Sequence, residues 1–196
     1  MAEILRTGKN LGDAAVLKMT LFTDREEPGK HTEQAIRLKA LNFTPLIPEK
    51  LAALPEGSFG FAYSQFLQNN KLSPFNFSSR IEDIFERFPV STRYVRVHDM
   101  VHCLLDFDAS IPGELGVYAF VGEQHYTKLL DWAARVADRS GRLILWQRGR
   151  IVAAQSRGRH LARGAHILVA QPLEAMLDMP LQEVRKKLIP AFFSAP

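Results

Sequence analysis

Cysteine is nearly absent: Cys103 is the single one in 196 residues. No internal disulfide framework can form, and this usage fits a reducing compartment. No apolar run reaches the roughly eighteen residues that a membrane-crossing helix needs. The opening residues, MAEILRTGKNLGDAAVLKM, have neither a long apolar core nor a small-residue cleavage site, so no secretory signal is expected there. Alternating apolar and polar runs, the mark of half-buried strands, are almost missing. No repeat or low-complexity segment stands out. Acids are scarce in one stretch above all. Arg135, Arg139, Arg142, Arg148, Arg150, Arg157, Arg159 and Arg163 face one acid, Asp138, in a chain of net charge +4. Such a stretch favours anionic partners: lipid headgroups, phosphates or nucleic acid. The competing reading is a solvated helix face.

What is present is the composition of an ordinary globular protein, 46% apolar and 23% charged. The length suits one compact domain over residues 1–196, with residues 1–30 peripheral to it, able to bury a core without disulfides. Helical patterning dominates and predicts an all-α fold. A helix starts at Thr32, with Ala35, Ile36, Leu38, Ala40 and Leu41 on its apolar side. FTPLIPE is a loop, and PEKLAAL a short helix. Ser58 caps a helix whose Phe59, Tyr63, Phe66 and Leu67 share a face and which ends at Asn69-Asn70. SSRIEDIFERFP is a capped amphipathic helix stopped by Pro89. The next helix starts at Ser91 or Thr92 and ends near Asp106. Asp108 to Gly113 is a loop, and Glu114 opens a long helix running through Asp138. The arginine-rich stretch is helical, with Gly141, Gly149, Gly158 and Gly164 as weak points. PLQEVRKKL is a last short helix with Pro180 near its first turn.

Within the apolar stretch YVRVHDMVHCLL stands HDMVH, residues 98–102. Burying two histidines and an aspartate is costly unless something satisfies them. On a helix, His98 and His102 are four apart and share a face, so both imidazoles can reach one ion. Asp99 lies about 100° further round. It can flank the ion as a ligand, support an imidazole, or carry a proton. Glu114, opening the next helix, is the obvious further donor, which puts the site between two adjacent helices. Two histidines with one or two carboxylates suit zinc, and also iron or manganese.

The spacing H-D-x-x-H, eleven residues, then E is met by His98, Asp99, His102 and Glu114, with Gly113 before the glutamate. It resembles the signature of the coenzyme Q (ubiquinone) biosynthesis protein four family, in its bacterial form. LPEGSFGFAYSQFLQNNKLSP and RGAHILVAQPLEAMLDMPLQEVRKKL resemble two further blocks of that family, so the likeness covers about residues 40–190. Asp106 departs from it, standing where a glycine is expected. Pro172 departs too, in place of a tryptophan-containing segment.

The resemblance implies an all-helical protein held peripherally on the cytoplasmic face of the inner membrane. It implies a divalent metal, usually zinc, on His98, Asp99, His102 and Glu114, with Asp99 catalytic. It implies a lyase acting on a polyprenylated hydroxybenzoate, removing the C1 carboxylate and placing a hydroxyl there. Partners would be the quinone intermediate, other ubiquinone biosynthesis proteins and the lipid surface; a homo-oligomer is compatible, and nucleic acid is not expected. Zinc has no redox chemistry, so the hydroxylation calls for an electron-rich ring, a redox-active metal or another protein. The alternative is a non-catalytic lipid-binding scaffold that organises the biosynthetic complex. A helical phosphohydrolase also uses an adjacent His-Asp pair, but its further distant histidine and aspartate cannot be assigned here.

Thirteen phenylalanines are available to line a groove for a polyprenyl tail. Phe59, Phe61, Phe66, Phe85, Phe88, Phe107 and Phe120 lie near the motif helices in sequence, with core packing as the default for each. Cys103 is expected to be a buried inert thiol. His31, His125, His160 and His166 are expected in surface or capping roles. Gly57-Ser58-Phe59-Gly60 lacks the Lys-Ser/Thr pair of a phosphate loop.

Overall fold

The computed structural model describes residues 11–141 and 143–194. Among the described residues the structure holds eleven α-helices, no strand and one isolated β-bridge between Ser58 and Pro180. The all-α expectation holds. The helices are α1 (Leu11–Met19), α2 (Thr32–Arg37), α3 (Lys39–Phe43), α4 (Pro48–Ala52), α5 (Phe59–Asn70) and α6 (Glu82–Arg87). They continue with α7 (Pro89–Leu105), α8 (Ile111–Gln124), α9 (Lys128–Gly141), α10 (Arg148–Ala162) and α11 (Leu181–Leu188).

Helix α7 is the axis of the fold. Every residue in it except His98 is buried. Helices α1, α2, α3, α5, α6, α8 and α11 all pack on it, as does a 3₁₀ turn at Leu168–Ala170. Val97, Met100, Val101, Leu104 and Leu105 are fully enclosed. Each such side chain contributes about 1.5–3 kcal/mol of burial free energy.

A helix buried on all sides cannot leave its end groups to water. The N-terminus of α7 is answered by Glu26, sixty-odd residues away in sequence. Its carboxylate accepts from Val90 N at 3.0 Å, Ser91 N at 2.9 Å and Ser91 Oγ at 2.6 Å. An acid there also suits the positive helix end. The C-terminus is answered by Arg185 of α11, which donates to Leu104 O at 3.0 Å and Cys103 O at 2.9 Å. Asp106 then turns the chain, with φ 58° in the left-handed region. That is the conformation a glycine supplies after a helix, and Asp is among the few residues that tolerate it. Its place as a departure from the family pattern is thereby explained.

Two arginines inside α7 need an answer too. Arg93 and Arg96 are essentially unexposed. Glu174, from a 3₁₀ turn at Leu173–Met176, accepts from Arg93 Nη2 at 2.7 Å and lies 3.4 Å from Arg96 Nε. Arg96 Nη1 also donates to Phe75 O at 2.9 Å and Asn76 Oδ1 at 2.8 Å.

Boundaries moved where local chemistry outweighed periodicity. Helix α7 begins at Pro89, not at Ser91 or Thr92. Proline stops α6 and also opens α7, because the first helical position needs no N–H. Helix α8 begins at Ile111, inside the expected loop, capped by Ser110 with Pro112 in the first turn. The helix expected from Glu114 through Asp138 is two helices. His125 takes φ 50°, Tyr126 turns into the core, and Thr127 Oγ1 caps α9 by accepting from Leu130 N at 3.1 Å. The helix from Thr32 breaks at Leu38, and Ile36, expected on its apolar side, is 51% exposed. SSRIEDIFERFP starts with a 3₁₀ turn, Ser79–Ile81, capped by Ser78.

Helices α8 and α10 meet backbone to backbone: a Cβ on Gly158 would stand 2.1 Å from Gly116 O. This contact holds α8, and Glu114 with it, at a set depth.

Burial alone would raise the Glu174 pKa. Arg93 first, and Arg96 after it, outweigh that and hold the carboxyl below its usual range. Glu174→Gln leaves two buried cations without their acid and is expected to cost about 3–5 kcal/mol. Guanidinium unfolding at neutral pH measures it.

Candidate metal centre

His98 and His102 project from successive turns of α7, and their rings meet edge to face with centroids 4.8 Å apart. Glu114, in the first turn of α8, reaches across the helix pair. Its Oε2 lies 3.4 Å from His98 Nε2, and its Oε1 lies 3.3 Å from His102 Nε2. The three candidate ligand atoms all fall within 4.8 Å of one another. Donors held about 2.1 Å from a single tetrahedral ion stand about 3.4 Å apart, the same scale as these separations.

The loop between α7 and α8 makes this possible. Gly113 lies so close to Asp108 that a Cβ would stand 2.0 Å from Asp108 O. The glycine beside Glu114 is therefore required by the tight loop. Asp108 Oδ1 in turn accepts from Ser110 N at 3.2 Å.

The two histidines are held differently. His98 Nδ1 lies 3.0 Å from the hydroxyl of Tyr94, one turn earlier on α7. His102 is fully buried and stacks on Phe66, with centroids 5.5 Å apart and planes 28° from parallel. Neither nitrogen of His102 makes an aligned hydrogen bond, in spite of the approach to Glu114. A fully buried imidazole with both nitrogens unsatisfied is expensive. A cation would answer one of them. The residues present therefore fit a divalent metal: two imidazoles and one carboxylate, with room left for a further ligand.

Asp99 is buried beside this trio but is not one of the three converging donors. Its carboxyl makes no hydrogen bond or ion pair among the described residues. Burial raises its pKa; His98 and His102 counter that in part, and Glu114 adds to the rise. Tyr63, on α5, is buried with its hydroxyl unpartnered and feels the Asp99 charge. Burial pushes the Tyr63 and Tyr94 phenols well above their ordinary range.

A cavity of about 690 Å³ adjoins the site. It shares Phe66 with the His102 stack and Gly113 with the neighbour of Glu114, and Phe107, Ser110, Pro112 and Arg150 also line it. Among the phenylalanines considered for a groove, Phe66 and Phe107 take part in this cavity. Phe59, Phe85, Phe88 and Phe120 are core.

Cys103 is buried, and burial pushes its thiol up to about 12, so it is inert at neutral pH. His31 is buried against Tyr126, against the expectation of a surface or capping role; its side chain makes no cap bond. His125 is exposed, 3.3 Å from Asp131. Arg157 and Arg159 turn inward, onto the Phe107 ring and Asp138. Arg135, Arg139, Arg148, Arg150 and Arg163 are exposed, and Arg142 lies outside the described residues. The residue that sequence reasoning missed is Tyr94; its signal was the same four-residue interval, Y-x-x-x-H-x-x-x-H.

The fold and the site together define an all-helical protein with a two-histidine, one-carboxylate cluster between adjacent helices. A match to the family described as "Coenzyme Q (ubiquinone) biosynthesis protein Coq4" runs over residues 35–189. The chain belongs to that family. It is similar to the mitochondrial ubiquinone biosynthesis protein COQ4 homolog of Anopheles gambiae, 32% identical over 114 residues, 56% of this chain and 39% of that protein. The Bos taurus homolog is 45% identical over 76 residues, 38% of this chain and 29% of that protein. The Homo sapiens homolog is 43% identical over 76 residues, again 38% and 29%. The chain thus matches well under half the length of these curated relatives. A crystal structure from Nostoc punctiforme PCC 73102, provisionally described as a ubiquinone biosynthesis protein, superposes with a TM-score of 0.64. It covers 91% of this chain and 80% of that one at 20% identity, which shows a shared fold.

Burial works to raise the Glu114 pKa, but the approach of His102 and His98 outweighs it and holds the carboxyl well below its ordinary range. A depressed carboxyl adds stability above its unfolded value and loses it as pH falls towards the folded one. In metal-free protein, Glu114→Gln is expected to lose less stability than wild type between about pH 5 and about pH 3. Urea titrations at stepped pH give the comparison.

Proposed function

We propose that this chain is a metal-dependent enzyme of ubiquinone biosynthesis that removes the C1 carboxylate of a polyprenylated hydroxybenzoate and places a hydroxyl there, working at the inner-membrane surface. The observation that carries this reading is the convergence of His98, His102 and Glu114 within 4.8 Å beside a cavity, with His102 buried and unsatisfied. Zinc is the first candidate for the ion; iron and manganese suit the same donors. Held there, a divalent cation would supply Lewis-acid attraction for a carboxylate. Phe66 and Phe107 offer flat apolar surfaces to a ring, and Arg150 a positive charge to an anionic group. Asp99, flanking the trio, is the proton carrier. Breaking the C1–carboxylate bond releases carbon dioxide and leaves an electron pair on the ring. An oxygen atom from dioxygen would then complete the hydroxylation with water formed, the two electrons coming from a reduced redox protein acting as partner and the three protons from solvent.

The membrane part of the reading is supported by one surface. Leu143, Leu145 and Trp146 are 77%, 72% and 82% exposed, next to the exposed Arg148 and Arg150. Apolar and aromatic side chains beside arginines suit a bilayer with anionic headgroups. No helix among the described residues is long and apolar enough to cross a membrane. The same surface would serve a lipid-presenting scaffold that lacks catalysis and whose metal is structural or absent, so quinone synthesis by the site variants decides between the two readings.

Elemental analysis of protein purified without added metal is expected to show near one equivalent of zinc or iron, lost in His102→Ala. In cells lacking their own family member, wild type restores ubiquinone and Asp99→Ala does not. No metal in either protein, with quinone synthesis restored by both, would leave the scaffold. A second expectation concerns the surface. Replacing Arg148 and Arg150 by alanine weakens partition onto vesicles of anionic lipid on the order of thirtyfold, at about 1 kcal/mol per arginine. Sedimentation with vesicles, beside neutral ones, reads it.

A further inference from the structure

Tyr94, His98 and His102 follow one another at four-residue intervals on α7 and form one ladder of rings. Tyr94 meets His98 edge to face, with centroids 5.4 Å apart and planes at 84°. Its hydroxyl has one hydrogen-bond partner among the described residues, His98 Nδ1, at 3.0 Å. Tyr94 itself is 5% exposed, and its ring is held from the other side by Tyr126, at 5.7 Å. The hydroxyl therefore has little freedom to leave His98.

A neutral imidazole carries one N–H, and only its bare nitrogen can ligate a cation. Which nitrogen is bare depends on what the other one touches. A tyrosine hydroxyl can accept as well as donate, so Tyr94 can accept a hydrogen bond from Nδ1–H. With Nδ1–H donating to Tyr94, the lone pair sits on Nε2, the atom 3.4 Å from Glu114. His102 has no comparable partner: its Nδ1 is buried and unbonded, and its ring is held by ring contacts only, stacked on Phe66 and edge to face with His98. The one hydrogen bond that orients either imidazole among the described residues is thus that of Tyr94 to His98.

We propose that Tyr94 is the positioning residue of the metal centre: its hydroxyl accepts from His98 Nδ1 and so presents His98 Nε2 to a divalent cation with His102 and Glu114. This rests on the metal-centre reading above.

The test is zinc affinity by chelator competition for wild type, Tyr94→Phe, Tyr126→Phe and His102→Ala, with circular dichroism melts of each in the metal-free state. Tyr94→Phe keeps the ring contacts and removes the hydroxyl. It is expected to bind zinc about 10–100-fold more weakly, with a metal-free melt that stays cooperative and falls by only about 2–4 °C for the one hydrogen bond lost. Tyr126→Phe serves as control, since the Tyr126 hydroxyl donates to Gln124, not to His98; it is expected to match wild type. Nitrogen-15 spectra of the zinc-loaded wild type are expected to show a protonated Nδ1 on His98. Wild-type affinity in Tyr94→Phe, an equal loss in Tyr126→Phe, or a bare Nδ1 on His98 would each overturn the assignment while leaving the metal centre standing. Absence of zinc binding by wild type would overturn the metal centre, and this role with it.

Discussion

A helix enclosed on every side sets the terms for the rest of the molecule. Helix α7 has no solvent to answer its polar groups, so each must be answered by protein. Glu26 takes the N–H groups at one end and Arg185 the carbonyls at the other. Glu174 takes the two internal arginines. These partners come from segments far apart in the chain, so satisfying α7 is also what gathers the fold around it. At a few places the answer is incomplete: Thr92 Oγ1 and Arg93 Nε find no hydrogen-bond partner. His102 is fully buried and both its nitrogens lack a hydrogen bond.

That incompleteness marks the site as more than packing. Elsewhere along α7 the unsatisfied buried atoms are single ones, Thr92 Oγ1 and Arg93 Nε, whereas His102 lacks a partner on both ring nitrogens. At His98 and His102 the approach of Glu114 supplies charge but leaves the buried nitrogens of His102 without an aligned donor or acceptor. His98 is also the one residue of α7 that is not buried, so the helix opens towards solvent where the candidate ligands converge.

The small residues serve the same geometry. Gly113 lets the α7–α8 loop fold onto Asp108, and Gly158 lets α10 touch α8 at Gly116. Both contacts bear on Glu114, the first by turning the chain just before it, the second by holding its helix against the next. Asp106 performs a glycine's task in the left-handed region, so the departure there leaves the turn after α7 in place.

Much was decided by the order of residues alone. Missing alternation excluded sheets, because strands need period two to bury one face. The four-residue interval put His98 and His102 together, because a helix brings such positions into line. Local capping chemistry placed Ser58 correctly. What depends on distant partners was not legible. The start of α7 at Pro89 depends on Glu26 as much as on proline, and the break at His125 depends on where Tyr126 finds the core. Ile36 faces outward because α2 ends at Leu38. That Asp99 stands beside the converging trio, while Tyr94 stands behind His98, is likewise a matter of helix rotation against neighbours. Sequence alone determined which residues could share a face, since that follows from backbone periodicity. Only the tertiary structure decided which of them meet Glu114 and which find no partner, since those depend on how separate helices pack in space.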